Sequence, residues 1–304
     1  MSPQDLAGGF TPAPDSAEKF SDPEVTATGE PRAKVPLTGL DTLWFNTGTL
    51  CNIECANCYI FSSPKNDALV YLTRAEVEVY LDEIATLGWQ VREIGFTGGE
   101  PFMNPEMIGM AEAALERGFE VLILTNAMRP MMRPRIKAGL ERLAQAYRTR
   151  LTLRVSLDHY TAEHHEAERG KGSFEVTLAG MRFMRDIGIR MAVAGRTIWG
   201  ETEAESRAGF ADLIAREGFE IDAANPAECV LFPELDEHVE VPEITTACWD
   251  ILGKRPSEVM CASSRMVVKR RGAERPAVLS CTLLAYEKQF ELGATLAEAD
   301  RAVP

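Results

Sequence analysis

The chain has 304 residues, 45% hydrophobic and 26% charged, with a formal net charge of −14. That length supports one large α/β domain and a sizeable core, while the acidity repels phosphate backbones and argues against nucleic acid as a partner. No apolar run reaches the ~18 residues that cross a bilayer, so no membrane partner is expected.

The opening MSPQDLAGGF lacks the basic and apolar regions of a signal peptide, which points to a cytoplasmic setting where thiols stay reduced. Residues 1–40 are rich in Pro, Asp, Glu and Thr without apolar periodicity, and read as a flexible arm. Short apolar runs then alternate with amphipathic segments. DTLWFNT, REIGFTG, FEVLILTN, RLTLRVSLD, IRMAVAGRTI and ECVLFPE read as strands. TRAEVEVYLDEIATLG, PEMIGMAEAALERG, residues 133–147, SFEVTLAGMRFMRDIG and residues 203–218 read as helices. About six βα units of this kind make an α/β fold with a parallel sheet, a partial (β/α)6 TIM-like barrel over residues 41–240. Residues 241–304 break the rhythm and read as a small α+β module containing a hairpin, RMVVKRRGAERPAVLSC. Ligands in such folds sit at the carboxyl ends of the strands, so the informative residues should lie just after each one.

Directly after the first strand stands CNIECANCY, with Cys51, Cys55 and Cys58 spaced C-x3-C-x2-C. Seven cysteines is an odd number, which agrees with free thiols rather than a disulfide framework. Three thiolates can bind zinc, act partly as a redox pair, or hold an iron-sulfur cluster. A structural zinc normally takes a fourth ligand, and the four histidines, at 159, 164, 165 and 238, are distant in sequence. A four-iron cluster on three cysteines leaves one iron open to another ligand.

The loop resembles the hallmark of the radical S-adenosylmethionine (SAM) enzymes. The resemblance implies a 4Fe-4S cluster on Cys51, Cys55 and Cys58, SAM on the open iron, and reductive cleavage of SAM to a 5'-deoxyadenosyl radical that takes a substrate hydrogen. Asn57 stands where the family commonly has an aromatic residue, and Tyr59 follows the third cysteine instead. Further matches come in order. FTGGEP supplies Gly98, Gly99 and Glu100, where glycines admit close backbone approach and a carboxylate can accept from the SAM amino group. LILTN supplies Thr125 and Asn126. SLDHYTAEHHEAERGKGSF is similar to the family run SLD, H, RG, GSF, and implies SAM contacts from Ser156 and Asp158, with Arg169 on either an acidic neighbour or the cofactor carboxylate. Arg196, after the fifth strand, suits the methionyl carboxylate or a structural salt bridge. His164 and His165 read as loop and helix-cap residues, Cys229 as core, and Trp199 and Trp249 as packing.

Cys261 and Cys281 bracket the predicted hairpin, with Cys248 ahead of them. The layout is similar to the twitch or SPASM auxiliary modules of peptide and sulfatase maturases and to the tail of the molybdopterin-precursor cyclase. It implies a second iron-sulfur cluster, although the adjacent cysteine pair that opens the cyclase tail is absent. The basic run Lys269, Arg270, Arg271 reads as a solvated turn. Taken together the resemblance implies a small-molecule or peptide substrate, tilted toward a metabolite because no leader-peptide-binding domain is evident, and an electron donor such as flavodoxin or ferredoxin. A different class of reading is a zinc-stabilised, non-catalytic scaffold on a degenerate barrel.

Overall fold

The computed structural model describes residues 19–233 and 239–303. Six strands carry the expected rhythm: β1 (Thr42–Asn46), β2 (Glu93–Thr97), β3 (Glu120–Thr125), β4 (Leu151–Ser156), β5 (Arg190–Arg196) and β6 (Cys229–Phe232). The helices between them are α1 (Arg74–Leu87), α2 (Met107–Glu116), α3 (Pro134–Tyr147), α4 (Ala162–Arg169), α5 (Ser173–Asp186) and α6 (Glu203–Glu217). Each strand pairs in parallel with the next. Parallel neighbours need crossover connections, which the helices supply, so all six strands point their carboxyl ends to one side.

Local sequence explains the elements. Thr73 and Glu76 form a capping box that starts α1: Glu76 N donates to Thr73 Oγ1 at 3.2 Å, and Thr73 N to Glu76 Oε2 at 2.9 Å. Val77, Leu81 and Ile84 then fall on one face and are buried, each contributing about 1.5–3 kcal/mol. The helix α4 lies where the sequence reading had a loop and a cap. Its composition, AEHHEAER, is mostly polar, but His165 and Glu168 turn inward.

The C-terminal residues form α7 (Cys248–Leu252), β7 (Ser264–Val268), β8 (Ala277–Leu279) and β9 (Glu291–Gly293). The strand β7 pairs in parallel with β1, from Thr42 opposite Ser264 to Phe45 opposite Val267. The expected hairpin, β7 and β8, thereby continues the main sheet, which runs β6-β5-β4-β3-β2-β1-β7-β8-β9. Since β6 and β9 end the sheet, the barrel is partial.

Residues 19–40, expected to be a flexible arm, are instead packed down. Val25 bridges Pro31, Arg32 bridges Thr245, and Val35 bridges Val303. Ala33, Val35 and Leu40 are buried, and buried Arg32 pairs with Glu243. The partners Thr245, Glu243 and Val303 lie more than 200 residues from Arg32 and Val35, so no local pattern announces these contacts. Residues 1–18 of that arm, and His238, lie outside the described residues. The basic run is likewise not a merely solvated turn: Lys269 pairs with Glu76, Arg270 with Glu291 and Arg271 with Asp67.

Candidate active site

The loop after β1 is held at both stems. Thr49 N donates to Leu69 O at 3.0 Å and Cys51 N to Ser63 O at 3.0 Å. Between these ties run Cys51, buried, and Cys55 and Cys58, half-buried. All seven cysteines are free, and Cys51, Cys55 and Cys58 lie within electrostatic reach of one another. Burial pushes the Cys51 thiol up to about 12, and also raises Cys55, where Arg169 acts in the opposite direction. Among the described residues no three His, Cys, Asp or Glu side chains converge tightly enough to share one metal ion. A cluster asks for a wider arrangement, because each thiolate takes its own iron.

The exit of β2 is stitched to this loop. Gly99 N donates to Gly48 O at 2.9 Å and Glu100 N to Leu50 O at 3.1 Å. A Cβ on Gly98 would meet Gly48 O at 2.5 Å, and one on Gly99 would meet Leu50 O at 2.3 Å. Gly98 also has φ 143°. The two glycines thus admit the close approach of the loop backbone from Gly48 to Leu50.

Glu100 is 1% exposed. It accepts from Phe102 N at 3.1 Å, Thr125 Oγ1 at 2.9 Å and Asn126 N at 2.8 Å. Burial lifts its pKa to about 7 despite those donors. Thr125 Oγ1 also lies 3.1 Å from the second oxygen but has one proton to give, so three donors face about four acceptor positions and one remains for a ligand. Asn126 carries the connection onward, donating to Asn52 Oδ1 at 3.0 Å and lying 3.8 Å from Cys51 Sγ.

The ends of β4 and β5 form an ion cluster. Arg169 takes both oxygens of buried Asp158, with Nη2 to Oδ1 at 3.0 Å, and Arg196 Nε lies 3.4 Å from the same carboxylate. Arg169 and Arg196 therefore both have acidic neighbours, and Asp158 is occupied by them. Arg169 also lies within electrostatic reach of Cys55 and Cys51. Half-buried Ser156 ends β4 beside this cluster. Neither His164 nor His165 caps a helix: His164 stacks on Trp199 with centroids 4.9 Å apart, and His165 is buried against Phe174.

One residue that sequence reasoning missed is Glu168. Its side chain accepts from Asn57 Nδ2 at 2.9 Å and its carbonyl from Ala56 N at 2.9 Å, while Arg196 Nη2 donates to Asn57 O at 2.6 Å. The departure at Asn57 thus has a partner. A single signal was available, the polar Asn57 itself, standing where the family commonly has an aromatic residue.

At the C-terminal side, Cys261 and Cys281 lie within electrostatic reach of each other. Tyr59, half-exposed, turns its phenol toward Thr97, Cys58, Tyr286 and Cys281, where burial raises its pKa. Cys248 begins α7 with Sγ 3.6 Å from Thr245 Oγ1, and no described contact joins it to the other two.

The sequence profile of the Radical SAM superfamily matches residues 45–213, more than half of the chain. The chain belongs to the radical SAM superfamily. It is an iron-sulfur enzyme, and a 4Fe-4S cluster and SAM are its cofactors. Three soft thiols, a carboxylate with an acceptor position to spare and two arginines fit that pair. Among curated proteins, the chain is similar to the antilisterial bacteriocin subtilosin biosynthesis protein AlbA of Bacillus subtilis strain 168. The two are 32% identical over 171 residues, 56% of this chain and 35% of that protein. It is also similar to the AdoMet-dependent heme synthase of Methanosarcina barkeri, 34% identical over 136 residues, 44% of this chain and 36% of that protein. The matches therefore span about a third of these relatives' length. The fold is shared with Streptococcus suis SuiB, solved bound to S-adenosylmethionine, at TM-score 0.59 and 11% identity over 84% of this chain and 64% of that one.

In this radical SAM chain, Glu168→Ala is expected to free Asn57 and speed loss of iron to a chelator about fivefold, the worth of one hydrogen bond. Glu168→Gln keeps an acceptor oxygen and should stay near wild type; iron-release kinetics measure both.

Proposed function

We propose that this chain abstracts a hydrogen atom from a small-molecule or peptide substrate, with Cys51, Cys55 and Cys58 holding the cluster and Gly98, Gly99, Glu100, Thr125, Ser156, Asp158, Arg196 and Tyr59 forming the SAM pocket. When bound, the cluster supplies the electron that cleaves SAM reductively into methionine and the 5'-deoxyadenosyl group that takes the hydrogen. The observation that carries the reading is the convergence of the three thiols on a loop whose stem is hydrogen-bonded to Gly99 and Glu100.

The chain's own groups have separate tasks. The thiols bind iron. The Gly98 and Gly99 backbone lets the cofactor approach, and the free acceptor position of Glu100 takes its amino group. Arg196 would take its carboxylate, and Arg169, fixed by Asp158, offsets the negative charge that thiolates bring beside Cys55. Cys261 and Cys281 would hold a second iron-sulfur cluster, with Cys248 as a candidate third ligand. The relatives' names divide between bacteriocin biosynthesis and heme synthesis, so the reading spans peptide and small molecule. The reductant would be a flavodoxin or ferredoxin, and the working compartment the cytoplasm. A zinc scaffold is not favoured, because the Radical SAM sequence profile covers more than half of the chain.

Anaerobic reconstitution followed by iron and sulfide counting tests this. Wild type is expected to hold about eight irons and the triple variant Cys51→Ala, Cys55→Ala, Cys58→Ala about four, with release of 5'-deoxyadenosine from SAM and dithionite lost in the variant. Equal iron and equal 5'-deoxyadenosine in both proteins would sink the reading.

A further inference from the structure

Thr49 and Ile60 flank the cysteine loop, two residues outside Cys51 and Cys58 respectively. Both points converge on one side chain from the far end of the sequence. Tyr286 OH donates to Ile60 O at 2.6 Å and accepts from Asn66 Nδ2 at 2.9 Å. Thr49 lies within reach of the same hydroxyl. Asn66 Nδ2 also donates to Phe61 O at 2.9 Å, and Thr49 Oγ1 lies 3.5 Å from Asn66 Oδ1. Tyr286 is itself held, because Arg270 Nη1 donates to its carbonyl at 3.0 Å while Arg270 Nε pairs with Glu291 at 2.8 Å.

Packing reinforces the tie. Buried Ile60 shares a small apolar core with Leu69, Met266, Val268, Leu279 and Ala285, which also receives Cys58 and Tyr286. The residues leading to α1 pair with the C-terminal hairpin, Val70 N to Lys269 O at 2.8 Å and Arg271 N to Ala68 O at 3.0 Å. Ser62 N donates to Cys58 Sγ at 3.3 Å, so displacement of Ile60 and Phe61 reaches that sulfur within two residues.

We infer that Tyr286 is a positioning residue for the iron-sulfur loop: through its hydroxyl the C-terminal module sets the stems that carry Cys51 and Cys58. The inference rests on the reading that these cysteines hold the cluster. Removing the hydroxyl leaves the Ile60 carbonyl only the long 3.5 Å contact from Asn66 Nδ2 and takes from Asn66 one of its acceptors. The loop then loses its link across the sheet while the fold keeps its apolar core.

The test uses the full chain, reconstituted without oxygen, in a Cys261→Ala, Cys281→Ala background so that bound iron reports on the three-cysteine loop. Tyr286→Phe is expected to speed iron loss to a ferrous chelator about tenfold and to change the electron paramagnetic resonance line shape of the reduced chain with SAM. Leu284→Ala, a half-exposed neighbour, should leave both as in the background protein. Asn66→Ala removes the same link from the other side and should reproduce the Tyr286→Phe behaviour, so misfolding of one variant does not carry the result. Chelation rates and line shapes unchanged in both variants would overturn this inference alone. Iron unaffected by Cys51→Ala, Cys55→Ala, Cys58→Ala would instead remove the underlying reading.

Discussion

Glu100→Gln is expected to weaken SAM binding about tenfold or more, since a hydrogen bond to a charged group is worth about 1.5–3 kcal/mol, and to flatten part of the pH dependence of stability. Burial holds the carboxyl near 7 in the folded chain, against an ordinary value of 4.5. Between those values the folded state binds the proton more tightly than the unfolded state, so this group's contribution to stability is complete below pH 4.5 and is lost as pH rises through 7. The span corresponds to roughly 3 kcal/mol. His165 works the other way: burial lowers it to about 4, so its contribution grows as pH rises to 6.5. Only the difference between two proteins therefore isolates Glu100. Urea unfolding from pH 4.5 to 8 should show the stability of wild type relative to Glu100→Gln falling by about that amount. A constant difference would mean that Glu100 keeps an ordinary pKa.

The same carboxylate shows where sequence is sufficient and where it is not. The βα rhythm was legible because β3 and β5 are runs of apolar residues buried on both faces. The Cys51–Cys58 and Gly98–Glu100 stretches were legible because soft thiols and unhindered glycines have few other reasons to stand at consecutive strand ends. What Glu100 does inside the protein was not legible, since its donors Thr125 and Asn126 arrive from another strand. Asp158 illustrates the same limit. Its residue type suits a ribose or an arginine equally well, and only folding brings Arg169 and Arg196 to it. The place of the C-terminal hairpin was also hidden, because the apolar pattern of β7 says that it is buried but not that β1 is its neighbour. Tyr286 and Glu168 escaped notice because a positioning role depends on a contact across more than a hundred residues.

Gly99→Ala should act on the cysteine loop without touching a thiol. The added Cβ would stand 2.3 Å from Leu50 O, 2.6 Å from Leu50 C and 2.7 Å from Thr49 O, all backbone atoms immediately ahead of Cys51. A side chain could swing aside; a backbone stem fixed by Thr49 to Leu69 and Cys51 to Ser63 cannot move alone. Relief must therefore stretch the Gly99 to Gly48 and Glu100 to Leu50 hydrogen bonds or push the loop outward. Overpacking of this kind costs about 1–3 kcal/mol, and the outward push displaces Cys51 from Asn126 and from its partner thiols. Iron held by the three-cysteine loop should fall to less than a tenth of wild type, with SAM cleavage falling in step. Gly118→Ala supplies the comparison, because its positive φ of 95° carries backbone strain but nothing lies within 4 Å of the added atom. It should lose about 1 kcal/mol and keep its iron, so similar instability with unequal iron would assign the loss to the loop. Full iron in Gly99→Ala would show that the stem yields, and that the close approach of β2 to the loop is not what holds Cys51 in place.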